Sequence, residues 1–373
     1  SPTDKLTLLN GSFSQIGGSA ASQYSPAAVD ILSVGDSARA MEVFGAYMYV
    51  VSSNAGDEFH VIDITDIANP VEVGGLNLPS FGNGIDVHGK YAYVASGFTG
   101  DDFHVIDVSD PVNPIEIDSL PLLGAANDVA VKDGYAYVVT DGTVGNVQVI
   151  DITNPYSVVS VASTTLVTNA KSIDIKGNYA YVTTEVSGDD FHVINISDPL
   201  NLVQEDSLNL PDGATAVKVS ESGKYAYVGT GISGNDLHVI DVSNPSAISE
   251  INSIELNVSV EAISLVGEIL YVTSLSAGQD LQVVDISAPS SPVLIGGVDL
   301  GSGNVRDVAV VGKYAYTAST ASINVVDISG AQLQSVLTSS FQTGNMFVTG
   351  QADLANDLAV RGMLYSGSDI QSL

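Results

Sequence analysis

A Val-Ile-Asp type triplet recurs seven times along this chain, each time at the end of a short apolar segment and just before a turn. Consecutive copies lie 42 to 46 residues apart. The copies are Val61-Ile62-Asp63, Val105-Ile106-Asp107, Val149-Ile150-Asp151, Val193-Ile194-Asn195, Val239-Ile240-Asp241, Val283-Val284-Asp285 and Val325-Val326-Asp327. A repeat of this length that carries strands instead of helices predicts one supersecondary unit repeated around a closed ring.

The segment 83–122 shows the content of one repeat. Short strand-like runs at 83–87, 91–95, 103–108 and 114–120 are separated by turns rich in Gly, Asp, Asn and Pro. Short strands joined by such turns predict an antiparallel meander. Four strands per repeat predict a propeller blade, so the expected fold class is an all-β propeller built from four-stranded antiparallel blades.

A second repeated feature, a Tyr-Ala-Tyr type strand, gives a different count of repeats. It recurs eight times, once more than the triplet. The copies are Tyr47-Met48-Tyr49, Tyr91-Ala92-Tyr93, Tyr135-Ala136-Tyr137, Tyr179-Ala180-Tyr181, Tyr225-Ala226-Tyr227, Ile269-Leu270-Tyr271, Tyr314-Ala315-Tyr316 and Met363-Leu364-Tyr365. The difference indicates that one repeat is incomplete.

The two ends of the chain predict where the incomplete repeat lies. After Tyr365 the chain stops within a third-strand pattern, and a segment at about 25–34 is similar to the opening of a fourth strand. We therefore predict eight blades, the last closed by both termini so that no sheet edge is exposed, with seven blades as the alternative. The predicted propeller domain spans 24–373. Residues 1–23 match no repeat and are predicted to form an N-terminal extension or tether, with an added strand through Leu6 to Leu9 as one form of it.

The order of these repeated elements carries a family resemblance. The Tyr-Ala-Tyr-Val strand, followed about ten residues later by His-Val-Ile-Asp-Val-Ser-Asp-Pro and then Asn-Pro, resembles the LVIVD repeat family of bacterial and archaeal propellers. The resemblance implies a β-propeller found largely in surface or exported proteins, with no catalytic motif to transfer. The chain departs from the family pattern at Asn195, Ile269, Ala288 and Gly330.

Charge and composition limit the partners and the location of the protein. Forty-three Asp and Glu against 11 Lys and Arg give a net charge of −32, which repels phosphate backbones and argues against a nucleic-acid partner. Such acidity is typical of extracellular or cell-surface proteins, where salt screens the self-repulsion. No apolar stretch approaches the roughly 20 residues of a membrane span. Because the chain begins at Ser1 without a basic-apolar leader, we expect a processed or trimmed start.

Two repeated polar positions are interpreted as structural. The Asp that ends each triplet is expected to accept backbone N–H bonds and hold the following turn. His60, His104, His192 and His238 share one repeat position, which Gln or Asn fills in other repeats. This exchange predicts hydrogen bonding and not zinc binding, because equivalent positions of neighbouring blades lie too far apart to share one ion.

The loops between the second and third strands contain the candidate metal-binding residues. They are rich in Gly-Asp and share one face of the propeller with the loops that enter the first strands. Either they are ordinary turns, or a broken ring of carboxylates binds a divalent cation such as Ca²⁺ or a cationic partner. No other cofactor is indicated. The candidates are Asp57, Glu58, Asp101, Asp102, Asp189, Asp190, Asp236 and Asp280.

The residues that begin the first strands are the candidate binding residues, because first strands line the central channel of a propeller. Their chemistry varies between repeats, and two of the three arginines stand there with one lysine. This predicts an anion or carboxylate site; the alternative is a hydrated channel with internal salt bridges, such as Arg306 with Asp307 or Glu261. The candidates are Arg39, Asn83, Asn127, Asp128, Lys171, Thr215, Glu261, Arg306, Asp307, Asn356 and Asp357.

Three functions are compatible with these features. The first is a non-catalytic extracellular interaction module that binds a protein, a glycan or a cation on one propeller face. The second is a structural subunit of a surface layer or filament, assembled through the N-terminal segment. The third is a hydrolase or lyase that acts on an anionic substrate at the channel mouth, using carboxylates such as Asp128 and Asp307. No catalytic motif is found, so we expect a protein that is not an enzyme.

Overall fold

The computed structural model describes residues 5–9, 12–16 and 26–329, except for short gaps at 36, 54–55, 98–99, 143, 167–168, 186–187, 232–235, 276–277, 302–303 and 321. The chain divides into two compact units, Ser1–Ser19 with Leu333–Leu373, and Ala20–Gln332. In the first unit the described part is an antiparallel hairpin of β1 (Lys5–Leu9) and β2 (Ser12–Ile16).

The second unit is a propeller of seven four-stranded antiparallel sheets. Blade 1 consists of β4 (Ser37–Phe44), β5 (Tyr47–Ser53), β6 (Phe59–Asp63) and β7 (Val71–Leu76). Blade 2 consists of β8 (Phe81–His88), β9 (Tyr91–Gly97), β10 (Phe103–Asp107) and β11 (Ile115–Leu120). Blade 3 consists of β12 (Ala126–Lys132), β13 (Tyr135–Thr140), β14 (Val147–Asp151) and β15 (Val159–Thr164). Blade 4 consists of β16 (Ala170–Lys176), β17 (Tyr179–Thr184), β18 (Phe191–Asn195) and β19 (Val203–Leu208).

The remaining three blades repeat this order. Blade 5 consists of β20 (Ala214–Val219), β21 (Tyr225–Thr230), β22 (Leu237–Asp241) and β23 (Ser249–Ile254). Blade 6 consists of β24 (Val260–Val266), β25 (Ile269–Ser274), β26 (Leu281–Asp285) and β27 (Val293–Val298). Blade 7 consists of β28 (Val305–Val311), β29 (Tyr314–Ser319), β30 (Ser322–Asp327) and, from the start of the chain, β3 (Ala27–Ser33). Among the described residues no helix is long and apolar enough to cross a membrane.

The seventh blade corrects the predicted number of blades. Strand β3 pairs antiparallel with β30, Ala27 opposite Asp327 and Ser33 opposite Ser322. The N-terminal strand therefore completes the seventh repeat, and β28 of this blade packs directly against β4 of blade 1. The prediction of eight blades is wrong by one, and the alternative of seven is confirmed. The ring closes without the eighth Tyr-type strand, whose residues 363–365 lie outside the described part of the chain.

The core lies between blades and is built from the middle strands. The last tyrosine of the Tyr-Ala-Tyr type strand is buried in each of the seven blades, and in blade 2 the ring of Tyr93 stacks on Phe103 with centroids 6.1 Å apart. This pair packs against Val129 and Ile150 of blade 3 in one apolar cluster. Full burial of a side chain such as Phe103 stabilises the fold by roughly 1.5–3 kcal/mol. Each triplet thus contributes its apolar residues to contacts that hold adjacent blades together.

The Asp that ends each triplet holds a turn, as predicted. Asp63 Oδ1 accepts the backbone N–H of Thr65 at 2.8 Å, and Asp107 Oδ1 accepts that of Ser109 at 2.9 Å. Asn195 makes the same bond with the N–H of Ser197. The equivalent bonds are made by Asp151 with Thr153, Asp241 with Ser243, Asp285 with Ser287 and Asp327 with Ser329. The amide oxygen of Asn195 therefore replaces a carboxylate without loss of the turn.

Candidate functional site

A β-bulge at the start of each first strand places one side chain at the mouth of the central channel. In blade 1, Ala38 pairs with Ser52 and Ala40 with Val51, so Arg39 is an extra residue in the ladder. A register shift occurs at the equivalent position of the other six blades. A bulge changes the direction in which a side chain points, and such bulges occur often beside functional sites. The resulting mouth residues are Arg39, Asn83, Asn127, Lys171, Thr215, Glu261 and Arg306.

The mouth residues line the entrance of a cavity of about 750 Å³ that extends along the central channel. The face of the propeller that carries this opening, here called the mouth face, also carries the loops between second and third strands. Asp128 and Asp307, each next to a mouth residue in the sequence, line the same cavity. Of the predicted binding residues, Asn356 and Asp357 lie outside the described part of the chain.

Three of the mouth residues connect neighbouring blades. Asn83 Nδ2 donates to the carbonyl oxygen of Ala126 at 2.8 Å, and Asn127 Nδ2 donates to that of Ala170 at 2.7 Å. Thr215 Oγ1 donates to the carbonyl oxygen of Val260 at 2.6 Å. In each case the acceptor is the residue just before the mouth residue of the next blade. These short polar side chains therefore act as links in the ring.

The charged mouth residues form ion pairs and one polar contact. Arg306 Nη1 lies 3.4 Å from Glu261 Oε1, one of the salt bridges that the sequence left open as an alternative. Arg39 Nη1 donates to Asn83 Oδ1 at 2.6 Å. Burial and the nearby Arg306 guanidinium lower the pKa of Arg39, and the opposing effect of Glu261 is smaller. Two guanidinium groups therefore face one carboxylate.

Lys171 is paired with carboxylates that the sequence reasoning missed. Its Nζ lies 3.2 Å from Glu185 Oε2 and 4.0 Å from Asp141 Oδ1. Both acidic residues directly follow a second strand, at the loop that leads to the third strand. The sequence reasoning placed mouth residues only at the starts of first strands and chose other residues from these loops, so it left out the two acidic residues that neutralise the mouth lysine.

Asp128 and Asp307 accept hydrogen bonds from the first strand of the next blade. Asp128 Oδ2 accepts from the N–H of Ile173 and the hydroxyl of Ser172, both at 3.0 Å. Asp307 Oδ2 accepts from the N–H of Met41 at 2.7 Å. Burial raises the pKa of Asp128 to about 6 and also raises that of Asp307. These carboxylates are structural acceptors that link blades 3 and 4 and blades 7 and 1.

A charged cluster lines the channel beyond the mouth. Four of its members stand three residues after the mouth residue of their strand, and Asp128 and Asp307 stand one residue after it. Lys218 lines the channel among the carboxylates of Asp174, Asp128, Glu42 and Asp307, and these carboxylates, Asp174 first, raise its pKa. Asp86 and Asp174 also accept backbone N–H bonds from the next blade, at 2.6 and 2.7 Å. The channel cluster is Glu42, Asp86, Asp128, Asp174, Lys218 and Asp307.

Glu42 is the least restrained carboxylate of the channel cluster. It is exposed to the channel and, among the described residues, accepts no hydrogen bond. Protein surrounds the channel on all sides, and this desolvation raises the pKa of Glu42 to about 7. The charge of Lys218 opposes the rise, and the charges of Asp86, Asp307 and Asp128 add to it. Ala40 is the first residue after the bulge, and Glu42 lies on the same face of β4. Strand alternation counted from the bulge could therefore have predicted that Glu42 faces the channel.

The predicted metal-binding residues fall into two structural groups. The acidic residue directly before the third strand turns inward in five blades and accepts the N–H of the residue 20 positions later, in the connection to the next blade. These bonds join Glu58 to Leu78, Asp102 to Leu122, Asp190 to Leu210, Asp236 to Leu256 and Asp280 to Leu300, at 2.6 to 3.0 Å. The other group, Asp57, Asp101 and Asp189, is exposed or half-buried. Within the described ranges no group of three or more His, Asp or Glu side chains has the arrangement to hold a metal ion.

The repeated histidines lie inside the blades. His60 Nδ1 lies 2.7 Å from Glu72 Oε1, and His104 Nδ1 lies 2.7 Å from Glu116 Oε1. His238 makes the same contact with Glu250 at 2.8 Å. These pairs confirm the predicted hydrogen-bonding role for three of the four repeated histidines; in the described part of the chain neither ring nitrogen of the fourth, His192, has a carboxylate partner. No histidine of the described part lines the channel, so none stands beside the mouth carboxylates.

This ring of seven bulged first strands around a polar channel defines the class of protein, a seven-bladed β-propeller. The LVIVD repeat family matches the chain in seven consecutive copies, at residues 35–77, 82–120, 123–165, 168–208, 213–255, 259–300 and 302–332. The chain belongs to the LVIVD repeat family. No curated protein sequence matches it.

Solved structures of low sequence identity share the fold. A chain of a mitotic checkpoint complex superimposes with a TM-score of 0.67 at 9% identity, covering 87% of this chain and 98% of that chain. A putative 6-phosphogluconolactonase from Bacteroides fragilis gives 0.63 at 14% identity, covering 77% and 89%. The computationally designed Ika8 protein gives 0.58 at 11% identity, covering 82% and 99%. At these identities the likeness shows the fold alone.

Proposed function

We propose that this LVIVD propeller is a non-catalytic interaction module, displayed outside the cell, which binds its partner at the mouth face. The observation that carries the proposal is the set of seven β-bulges. The bulges direct side chains of differing chemistry into one cavity of about 750 Å³, within the usual volume of ligand sites. The repeated scaffold is thus constant where blades pack and variable where a partner would be recognised.

The state of Asp128, Asp307 and Glu261, the carboxylates that the hydrolase or lyase alternative would use, favours binding over catalysis. A general acid or base needs a free carboxyl group within reach of the substrate. Asp128 and Asp307 instead accept backbone N–H bonds from two blades, and Glu261 is paired with Arg306. The likeness to a putative 6-phosphogluconolactonase does not oppose this proposal, because 14% identity supports no shared activity.

The net charge of −32 supports a location outside the cell. Self-repulsion of this size is screened where salt and divalent cations are abundant. The same charge disfavours nucleic acid as a partner and favours neutral or cationic molecules.

A structural subunit of a surface layer is the second candidate, and the outer strands favour it. Five blades expose a β-branched residue at the first position of the fourth strand. These residues are Val71, Ile115, Val159, Val203 and Val293. A belt of this kind suits lateral contact with further copies of the chain.

A thermal-shift panel tests the proposed function. We would mix the protein with monosaccharides, uronic acids, amino acids and short peptides, and separately with chromogenic nitrophenyl esters and glycosides. The expected result is a saturable rise in melting temperature without turnover. Turnover that Asp128→Asn abolishes would refute the non-catalytic module.

Light scattering tests the second candidate. The comparison is between the wild type and Ile115→Lys, which places a charge in the exposed apolar belt of the outer strands. Large particles of the wild type that this change disperses would favour the structural subunit. Particles of the size of one chain in both samples would leave the interaction module as the better explanation.

A further inference from the structure

Arg39 and Arg306 form a pair at the closure of the ring. They occupy the equivalent bulge of blades 1 and 7, which are neighbours, and both line the cavity. A guanidinium group carries five N–H donors. In the described part of the chain each of the two makes a single hydrogen bond, from Nη1, to Asn83 Oδ1 and Glu261 Oε1 respectively. Most of their donor capacity is therefore unused.

The pair favours a planar carboxylate. The two guanidinium groups line the same cavity from neighbouring blades and repel each other, and burial together with this repulsion lowers the pKa of Arg39. An anion placed between them would relieve this repulsion, and the guanidinium fork matches a carboxylate in a bidentate arrangement. A multiply charged anion is disfavoured, because deeper in the channel five carboxylates surround the ammonium group of Lys218.

Glu42 supplies the second half of the site. It lies three residues beyond Arg39 on β4, a separation of roughly 10 Å at the rise of a β-strand. Its carboxylate faces the same cavity and accepts no hydrogen bond within the described part of the chain. A cationic group of a ligand at this depth would neutralise the carboxylate of Glu42, which makes no direct ion pair with a described side chain.

We propose that the channel mouth binds a ligand with a carboxylate at one end and a cationic group at the other. Arg39 and Arg306 hold the carboxylate, and Glu42 holds the cationic group. The extended side chain of lysine has the required length and chemistry. The same chemistry occurs in free lysine and in a C-terminal lysine of a peptide. This assignment deepens the proposed function, on which it rests.

Isothermal titration calorimetry with matched probes tests the assignment. The probes are L-lysine, hexanoate, which lacks both ammonium groups, 1,5-diaminopentane, which lacks the carboxylate, and sodium sulfate at equal ionic strength. We expect lysine to bind at least tenfold more tightly than the other three. The peptide acetyl-Gly-Gly-Lys, with a free or an amidated C-terminus, distinguishes free lysine from a C-terminal lysine of a peptide. Tighter binding of the peptide with the free C-terminus than of lysine itself would identify the end of a peptide chain as the ligand.

Variants test which residues bind the carboxylate of the ligand and which residue binds its cationic group. Arg306→Gln and Arg39→Gln are expected to weaken lysine at least tenfold, and Arg306→Lys is expected to recover little, because an ammonium group cannot bind in a bidentate manner. Glu42→Gln is expected to weaken lysine and leave hexanoate unchanged. Lys90→Gln removes one positive charge from an exposed turn that does not line the cavity and serves as the control. Circular dichroism melts verify that each variant is folded.

Two outcomes would overturn the assignment. One is equal binding of lysine and 1,5-diaminopentane, or tighter binding of sulfate, since either removes the role of the carboxylate. The other is unchanged lysine affinity in Arg306→Gln and Glu42→Gln. If another probe of the panel binds the mouth face while lysine does not, the assignment fails and the proposed function stands.

Discussion

The carboxylate of Asp307 accepts a hydrogen bond from the backbone N–H of Met41 at 2.7 Å, although 266 positions separate the two residues in the sequence. This bond joins the first strand of blade 7 to the first strand of blade 1. Asp128, at the equivalent position of blade 3, makes the same connection to Ile173 of blade 4. One carboxylate position thus serves both an internal blade contact and the closure of the ring.

Asp307→Ala is expected to destabilise the propeller by about 1–3 kcal/mol, because it leaves the N–H of Met41 without its acceptor in a partly buried position. Asp307→Asn keeps an acceptor oxygen and is expected to lose less. Urea unfolding monitored by tyrosine fluorescence measures both. The surface variant Glu255→Gln is the control, expected within about 0.5 kcal/mol of wild type. Equal stability of Asp307→Ala and the control would contradict a role in ring closure.

Asp236→Ala is expected to destabilise the protein by about 1–3 kcal/mol, since its buried carboxylate accepts the N–H groups of Leu256 and Val258. Asp57→Ala, at an exposed position of an equivalent loop, is expected to change stability by less than about 0.5 kcal/mol. Thermal melts with and without a chelator, at matched ionic strength, separate this role from Ca²⁺ binding. A drop in melting temperature on chelation that Asp236→Ala removes would instead support a cation site in these loops.

The blade scaffold could be predicted from sequence because its information is local and repeated. Each triplet places Val and Ile in the core and an Asp two residues before the N–H that it accepts, as in Asp63 and Thr65. The number of triplets equals the number of blades. The Tyr-type count exceeds it by one, and the extra copy, Met363-Leu364-Tyr365, lies outside the described part of the chain.

The mouth was predicted in part, together with Asp128 and Asp307 of the channel cluster, and the other four members of that cluster were not. Counting back from the Tyr-type strand located Arg39 and Arg306, because blade spacing is nearly constant. The bulge itself has no sequence signature here, since the residues before it are Ala, Gly or Val. Without the bulge, alternation assigns the wrong face to the positions that follow, so Glu42 and Lys218 were missed. Pairs between blades, such as Lys171 with Asp141, depend on three-dimensional proximity alone.

Lys218→Met is expected to destabilise the protein by roughly 3–5 kcal/mol at pH 8, because it leaves the channel carboxylates without their cation. The loss is expected to diminish as the pH falls and those carboxylates take up protons. Chemical denaturation at pH 8 and pH 5.5 measures the difference. Lys90→Met, at an exposed turn, is the control for loss of one positive charge. A loss of stability that is the same at both pH values would show that packing, and not charge, is the role of Lys218.

Glu42→Gln is expected to make stability less dependent on pH between about 4.5 and 7. The pKa of Glu42 in the folded protein is raised from its ordinary value of 4.5 to about 7, so the folded protein binds the proton more tightly than the unfolded chain. Stability from this group is therefore greatest at low pH and falls as the pH rises through this window. The groups that face Glu42 are Lys218, Asp86, Asp307 and Asp128.

Because channel water screens Glu42, we expect the neutral variant to gain on the order of 1 kcal/mol over wild type at pH 8 and nothing at pH 4.5. Urea denaturation across this range, with Glu255→Gln as the exposed control, measures the difference between the two curves. Taking the difference cancels the contributions of turn carboxylates such as Asp151, whose pKa is lowered by hydrogen bonds from Thr153. Parallel curves for wild type and Glu42→Gln would contradict the raised pKa and, with it, the isolation of this carboxylate in the channel.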